Sequence, residues 1–160
     1  LDALRASGIR LASLLGVRAE APWLLGGVKS TSYAVNMAAE AEARNRGADD
    51  AVFVTADDLF LEGPVTNVWW RRDSTLFTPS LDLGILAGVT RDTLLELAPA
   101  AGYDVEEGRF TLADLRGADE AFTSSSVREL MPVIAIDGEP ISRGPAAEGL
   151  QAALRAATLR

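Results

Sequence analysis

Apolar residues fall into two rhythms along this chain, and each change of rhythm marks an element. Ile9 to Leu15 is nearly continuous in apolar residues and predicts a buried strand. The apolar run Leu11 to Val17 is short, interrupted by Ser13 and Gly16 and flanked by Arg10 and Arg18, which sets it apart from a signal peptide. An Ala- and Pro-containing loop follows, ending in Gly26-Gly27. From Ser32 the apolar positions Val35, Ala38 and Ala39 recur at helical spacing, with Glu and Arg between them, and Gly47 is placed to end that helix. Residues 51–55 predict a strand, Asp57-Asp58 a turn and residues 59–61 the return; 67–71 and 75–78 predict a hairpin about Asp73-Ser74. Thr90 opens a helix through Leu94, Leu95 and Leu97 that closes near Gly102, and Thr111 with Asp114 has the capping-box spacing of a short helix. Residues 121–124 and 131–136 read as strands, Asp137-Gly138 as a hairpin turn leading into 140–142, and 145–159 as a helix. Hairpins mixed with helices predict an α+β fold rather than a regular βαβ array.

Composition narrows the chemistry. The 160 residues suit a single domain, 48% hydrophobic and 24% charged, with no apolar run long enough for a membrane helix. The net charge of −8 and the lack of a Lys/Arg cluster weigh against nucleic acid as a partner. Absence of Cys removes disulfides and thiolate metal sites and suits a reducing compartment; absence of His removes the Ser-His-Asp triad and most zinc hydrolase sites. Catalysis is left to Lys, carboxylates, Tyr, hydroxyls or a borrowed cofactor. Lys29 is the only lysine among 15 basic residues, the rest being arginine, and unlike arginine a desolvated lysine can form an imine. Gly26-Gly27-Val28-Lys29-Ser30 ends like a P-loop, but Pro22 or Trp23 stands where the earlier glycine is required.

Four segments in order carry a resemblance. They are Gly27-Val28-Lys29-Ser30; Leu61-Glu62-Gly63-Pro64-Val65-Thr66-Asn67; Ile85-Leu86-Ala87-Gly88-Val89-Thr90-Arg91-Asp92; and Asp119-Glu120-Ala121-Phe122 running through Ser124-Ser125-Ser126 to Pro132-Val133. Together they resemble the class IV aminotransferase family, the fold-type IV pyridoxal phosphate enzymes, which includes branched-chain and D-amino-acid aminotransferases and 4-amino-4-deoxychorismate lyase. The resemblance implies a mixed β-sheet or pseudo-barrel with flanking helices, that family's larger C-terminal domain, over residues 1–160. It implies pyridoxal 5'-phosphate as cofactor, carried by Lys29 as a Schiff base, with the freed amine then moving a proton at the substrate α-carbon. Glu62 is similar to the acid that pairs with the pyridine nitrogen. Leu86 resembles the apolar residue on one ring face, although a plain core position explains it equally well.

Gly88, Val89 and Thr90 enter a helix, where backbone N–H groups and a hydroxyl suit a phosphate; Thr90 as an N-cap is compatible with that. Ser126 aligns with the family's second phosphate-binding hydroxyl and Ser125 is its neighbour, while Tyr33 resembles a tyrosine near the cofactor's phenolic oxygen. Asn67 is expected to shape its turn. Transfer of an amino group between an amino acid and a 2-keto acid is the implied reaction, with aminodeoxychorismate lyase as the alternative and a non-catalytic domain as a third reading. A homodimer in the cytoplasm acting on small molecules is implied too. The family's smaller N-terminal domain is expected to be absent from the chain, supplied on the same or another polypeptide. Trp69 and Trp70 put one large aromatic on each face of a strand, so both faces should be covered.

Overall fold

The computed structural model describes residues 1–16, 27–29 and 31–158. The loop expected to end at Gly26-Gly27 lies outside them except for Gly27. In chain order the elements are α1 (Asp2–Ser7), β1 (Ile9–Leu15), α2 (Ala34–Asn45), β2 (Asp50–Val54), β3 (Asn67–Arg72), β4 (Thr75–Pro79), α3 (Val89–Leu97), β5 (Asp104–Gly108), α4 (Leu112–Arg116), β6 (Glu120–Ser125), β7 (Glu129–Ile136), β8 (Glu139–Pro140) and α5 (Pro145–Thr158). The strands form one mixed sheet in the order β2-β1-β7-β6-β3-β4-β5, with β8 paired to β7. Pairing is parallel for β2–β1, β1–β7 and β4–β5 and antiparallel elsewhere. The α+β expectation holds.

The two sheet edges are laced together. After β2 the chain turns at Asp58, which sits at a left-handed φ of 65°, and Phe60 bridges back to Val54. Leu59 then bridges to Thr111 beyond β5, and the Phe60 N–H donates to the Phe110 carbonyl. These bonds join the β2 side to the β5 side and curl the sheet toward a barrel.

Strand alternation sorts the side chains into an inside and an outside. Ile9, Leu11, Val52, Val54, Val68, Trp70, Met131 and Val133 share the inner core with Phe60, Phe110 and Leu115. Trp69, Leu76, Phe122 and Leu130 face outward into a second cluster with Leu94 of α3 and Ala147, Leu150 and Leu154 of α5. Ala12, Leu14, Ala51 and Phe53 meet Ala39 and Ala43 of α2 in a third. Trp69 and Trp70 therefore lie on opposite faces, each covered by the chain's own core. Inside, Trp70 stacks on Phe77 at 4.1 Å, with Phe110 edge-on to both at 5.6 and 5.5 Å. Each such pair adds about 0.5–1.5 kcal/mol beyond its burial, at the seam where the sheet curls shut.

Three elements depart from expectation. β5 and α1 have no apolar signature, and β7 begins at Glu129 and so carries Pro132 in its interior. Proline is tolerated there because the β1 ladder starts at Val133, leaving β7 a strand neighbour on one side only at Pro132. The capping box at Thr111 forms, Asp114 closing it through Thr111's N–H at 2.8 Å. Among the described residues no helix is long and apolar enough to cross a membrane.

Acid titration should follow from the carboxylates that fix these turns. The N–H and hydroxyl of Thr111 hold Asp114 below the usual carboxylate range, and the Arg155 guanidinium does the same for Glu129. Burial pushes Asp137 up, but the Ser13 N–H and hydroxyl and Arg116 outweigh it and leave this carboxyl low. Each group, being lower in the folded chain, contributes stability above its unfolded value near ~4 and loses it as pH falls through the folded value. Asp50, raised chiefly by burial, has the opposite sign. Thermal unfolding followed between pH 7 and 2 should show the midpoint dropping below about pH 4. A midpoint rising there would contradict the three assignments.

Candidate active site

Glu62 sits just after the return strand from β2, where the Phe53 N–H donates to its carbonyl and the Leu61 N–H to Phe53's. That pairing carries the side chain inward, 4% exposed, and one carboxylate oxygen accepts the Leu86 N–H at 3.0 Å. From the other end of the same loop, Asn67 Nδ2 donates to the Leu86 carbonyl at 2.9 Å. The backbone of Leu86 is thus held at both its polar groups by the 62–67 segment. Asn67 does not shape its own turn, as the sequence suggested; it fastens the neighbouring segment.

Two glycines let the segments approach. A Cβ on Gly63 would fall 2.3 Å from Thr66 Oγ1 and 2.9 Å from the Ala51 carbonyl, and one on Gly88 would fall 2.2 Å from Asn67 Oδ1. Gly88 caps α3 in extended conformation without a side-chain bond, so the first N–H groups of that helix keep no intrahelical acceptor. Val89 beside it is exposed and Thr90 buried. Gly27 has a left-handed φ of 78° and packs against the same segment, its ideal Cβ lying 3.1 Å from the Ile85 carbonyl. Lys29 follows two residues on and is exposed. Leu86 is half-buried. Tyr33 stands at the N-cap of α2, partly exposed, and one turn later Asn36 Nδ2 donates to the Pro64 carbonyl, which ties α2 to the Glu62 loop.

The fourth segment joins through the sheet. Asn67 pairs with Ser124 in the β3–β6 ladder, so the turn between β6 and β7 rises beside the Asn67 end of β3. The three serines divide their work. Ser124 is buried and its Oγ accepts the Trp69 indole N–H at 2.9 Å; Ser125 Oγ accepts the Arg128 N–H at 3.1 Å; Ser126 is exposed. Accepting an N–H leaves the Ser125 O–H free to donate, so it is exposure that favours Ser126 over Ser125 for outward contact.

The contacts thus chain the segments of Lys29, Glu62, Leu86–Thr90 and Ser124–Ser126 to one another. A cleft of about 360 Å³ between β1 and α2, lined by Leu14, Leu15, Val35, Ala38, Ala39, Glu42 and Arg46, contains none of these residues and lacks convergent polar groups beyond one acid and one arginine. The sequence reading missed Arg128 and Asp50, an ion pair at 2.7 Å beside the serine turn. Arg128 stood within the quoted motif, but its partner lies 78 positions away and no local pattern announces it.

Residues 2–136 match the family described as amino-transferase class IV. The aminodeoxychorismate lyase of Bacillus subtilis is 39% identical over 124 residues, covering 78% of this chain and 42% of the relative. The bifunctional aminodeoxychorismate lyase / D-amino acid transaminase of Mycobacterium tuberculosis is 37% identical, over 79% of this chain and 46% of that protein. A solved structure titled a hypothetical aminotransferase from the same organism, PLP-bound form, superposes with a TM-score of 0.89 at 34% identity, over 99% of this chain and 58% of that one. The chain spans about half the length of the proteins it matches.

Proposed function

The chain belongs to the amino-transferase class IV family, and from that premise we propose that it is the pyridoxal-phosphate-holding part of an enzyme moving an amino group between an amino acid and a 2-keto acid. The observation that carries this is the tethering of Leu86 to both Glu62 and Asn67, which sets a buried carboxylate, an apolar side chain and a helix N-terminus around one place.

The residues present fit such a cofactor. A carboxylate 4% exposed suits a cationic ring nitrogen. Gly88 caps α3, whose first backbone N–H groups keep no intrahelical acceptor and suit a phosphate. When bound, pyridoxal phosphate supplies an aldehyde carbon for amines and a ring that draws electrons from the carbon beside them. Around it, the Lys29 amine would hold the cofactor and would take and return the proton at the substrate α-carbon. Glu62 would keep the ring nitrogen protonated and Leu86 would pack against the ring. The N–H groups after Gly88, including that of Val89, the Thr90 hydroxyl and the serine turn, with Ser126 ahead of Ser125, hold the phosphate. Tyr33 would offer its hydroxyl to the phenolic oxygen.

Aminodeoxychorismate lyase is the second reading, favoured by the names of the two curated relatives above. Both reactions need the same lysine and carboxylate and differ in the bond broken, so substrate contacts decide between them. The fuller reading places the enzyme in the cytoplasm as a homodimer, with a smaller N-terminal domain completing the substrate site. Support for the compartment is the lack of cysteine; the dimer and the further domain rest on family resemblance.

Borohydride reduction of protein incubated with the cofactor, followed by peptide mapping, tests the proposal. A pyridoxyl group on the peptide holding Lys29 is expected. Labelling elsewhere, or none, would sink it.

A further inference from the structure

The turn that bears Ser125 and Ser126 is braced from several sides. Its last residue, Arg128, closes the turn by donating its N–H to Ser125 Oγ, while its guanidinium Nη1 lies 2.7 Å from Asp50 Oδ2 at the start of β2. Nη2 also lies 3.9 Å from Glu40 on α2. Asp50 is 1% exposed, and its other oxygen accepts the Ala51 N–H. Arg5 of α1 donates to the Arg128 carbonyl at 3.0 Å and to the Leu130 carbonyl at 3.2 Å. Glu129 takes a left-handed φ of 54°, costly for a residue with a Cβ, and its carboxylate is held by Gln151 at 3.0 Å and Arg155 at 2.7 Å.

Such effort on five residues has a clear object. Ser126 and Val127 at the tip are exposed, and everything around them is fixed. One end of the Arg128 guanidinium is engaged by a buried carboxylate with a second acid close by, which commits it to bracing the turn. A buried carboxylate is costly unless paired, so the tether is strongly directional: Asp50 keeps Arg128 where it is, and Arg128 keeps the turn where it is.

We propose that Arg128, clamped by Asp50, is a positioning residue that holds the Ser125–Ser126–Val127 turn in the shape that receives the cofactor's phosphate. This rests on the reading of the serine turn as a phosphate anchor. Fixing hydrogen-bond donors before the ligand arrives removes an ordering cost from binding, and that gain applies only to the group those donors meet.

The test compares dissociation constants for pyridoxal phosphate and for pyridoxal, which lacks the phosphate, in the wild-type chain, Arg128→Gln, Arg128→Lys and Asp50→Asn. The wild type should prefer the phosphorylated form. In Arg128→Gln that preference should fall by about tenfold, the worth of one charge-assisted contact, while pyridoxal affinity changes by less than about twofold. Arg128→Lys should recover part of the preference, since the charge returns without the planar fork. Asp50→Asn should lower it several-fold with Arg128 intact, and it decides the matter if Arg128→Gln does not fold. Equal weakening of both ligands, or an unchanged preference in Asp50→Asn, would mean the pair is merely structural and overturns the inference. A wild type indifferent to the phosphate overturns the reading of the turn itself, and this inference with it.

Discussion

Lys29→Ala should leave a folded protein that no longer carries pyridoxal phosphate covalently and no longer transfers amine at a useful rate. Lys29 is exposed, so truncation should shift stability by no more than about 0.5 kcal/mol, as for ordinary surface substitutions. Loss of the proton transfer alone is worth about 10²–10⁴-fold in rate. Lys29→Arg should be as inactive as Lys29→Ala, because a guanidinium stays protonated and forms no imine. A small primary amine added to Lys29→Ala should restore part of the rate, since it supplies the missing base without altering the fold. Keto-acid or pyruvate formation, read with thermal unfolding on the same samples, separates these outcomes. Undiminished turnover by Lys29→Ala would remove the lysine from the chemistry.

Why some contacts of this fold were legible in the sequence, and others not, has a physical basis. Local devices announce themselves because their partners are close in sequence. Thr111 and Asp114 are three residues apart and form the capping box. Asp137 and Gly138 both take left-handed φ values, as the turn they predicted demands. Gly47, with a φ of 76°, follows α2 where the helix was expected to end. Distant pairs leave no such trace. The bridge from Leu59 to Thr111 that draws the edges together joins residues far apart in the chain. β5 was missed for a different reason: Asp-Val-Glu-Glu-Gly is acidic and largely exposed, and parallel pairing with β4 along five residues, not an apolar face, makes it a strand.

The serine turn shows the same division. Family resemblance suggested the three serines as an anion site, but their unequal use inside the fold is a tertiary fact. Trp69 claims Ser124 from the adjacent strand, and Arg128 claims Ser125 from within the turn.

Glu120→Ala should be among the most damaging single changes to the fold. This carboxylate, 1% exposed at the start of β6, stands at the N-terminus of α5 although it is remote from it in sequence. Its two oxygens accept the N–H groups of Ala146 at 3.0 Å and Ala147 at 2.8 Å, and Arg71 Nε donates to it at 3.2 Å. The side chain thus does what an N-cap residue does, with a full charge facing the positive end of a 14-residue helix. Gly144 makes room for it, since a Cβ there would fall 2.3 Å from Glu120 Oε2. Truncation leaves two buried donors without their acceptor and removes one partner of the Arg71 guanidinium, which keeps the Asp73 carbonyl and Asp119, a loss of about 3–4 kcal/mol. Stability of a typical domain is only about 5–15 kcal/mol, and at this size each kcal/mol moves the midpoint by about 2–4 °C. The expected drop is therefore on the order of 10 °C. Glu120→Gln keeps one acceptor and the volume but loses the charge, and should fall about midway. Because α5 buries Ala147, Leu150 and Leu154 against Trp69 and Phe122, the loss should appear as one cooperative transition at lower temperature, not as fraying of the last helix alone. A Glu120→Ala midpoint within about 2 °C of wild type would mean that the helix start finds other acceptors and that this buried charge is dispensable.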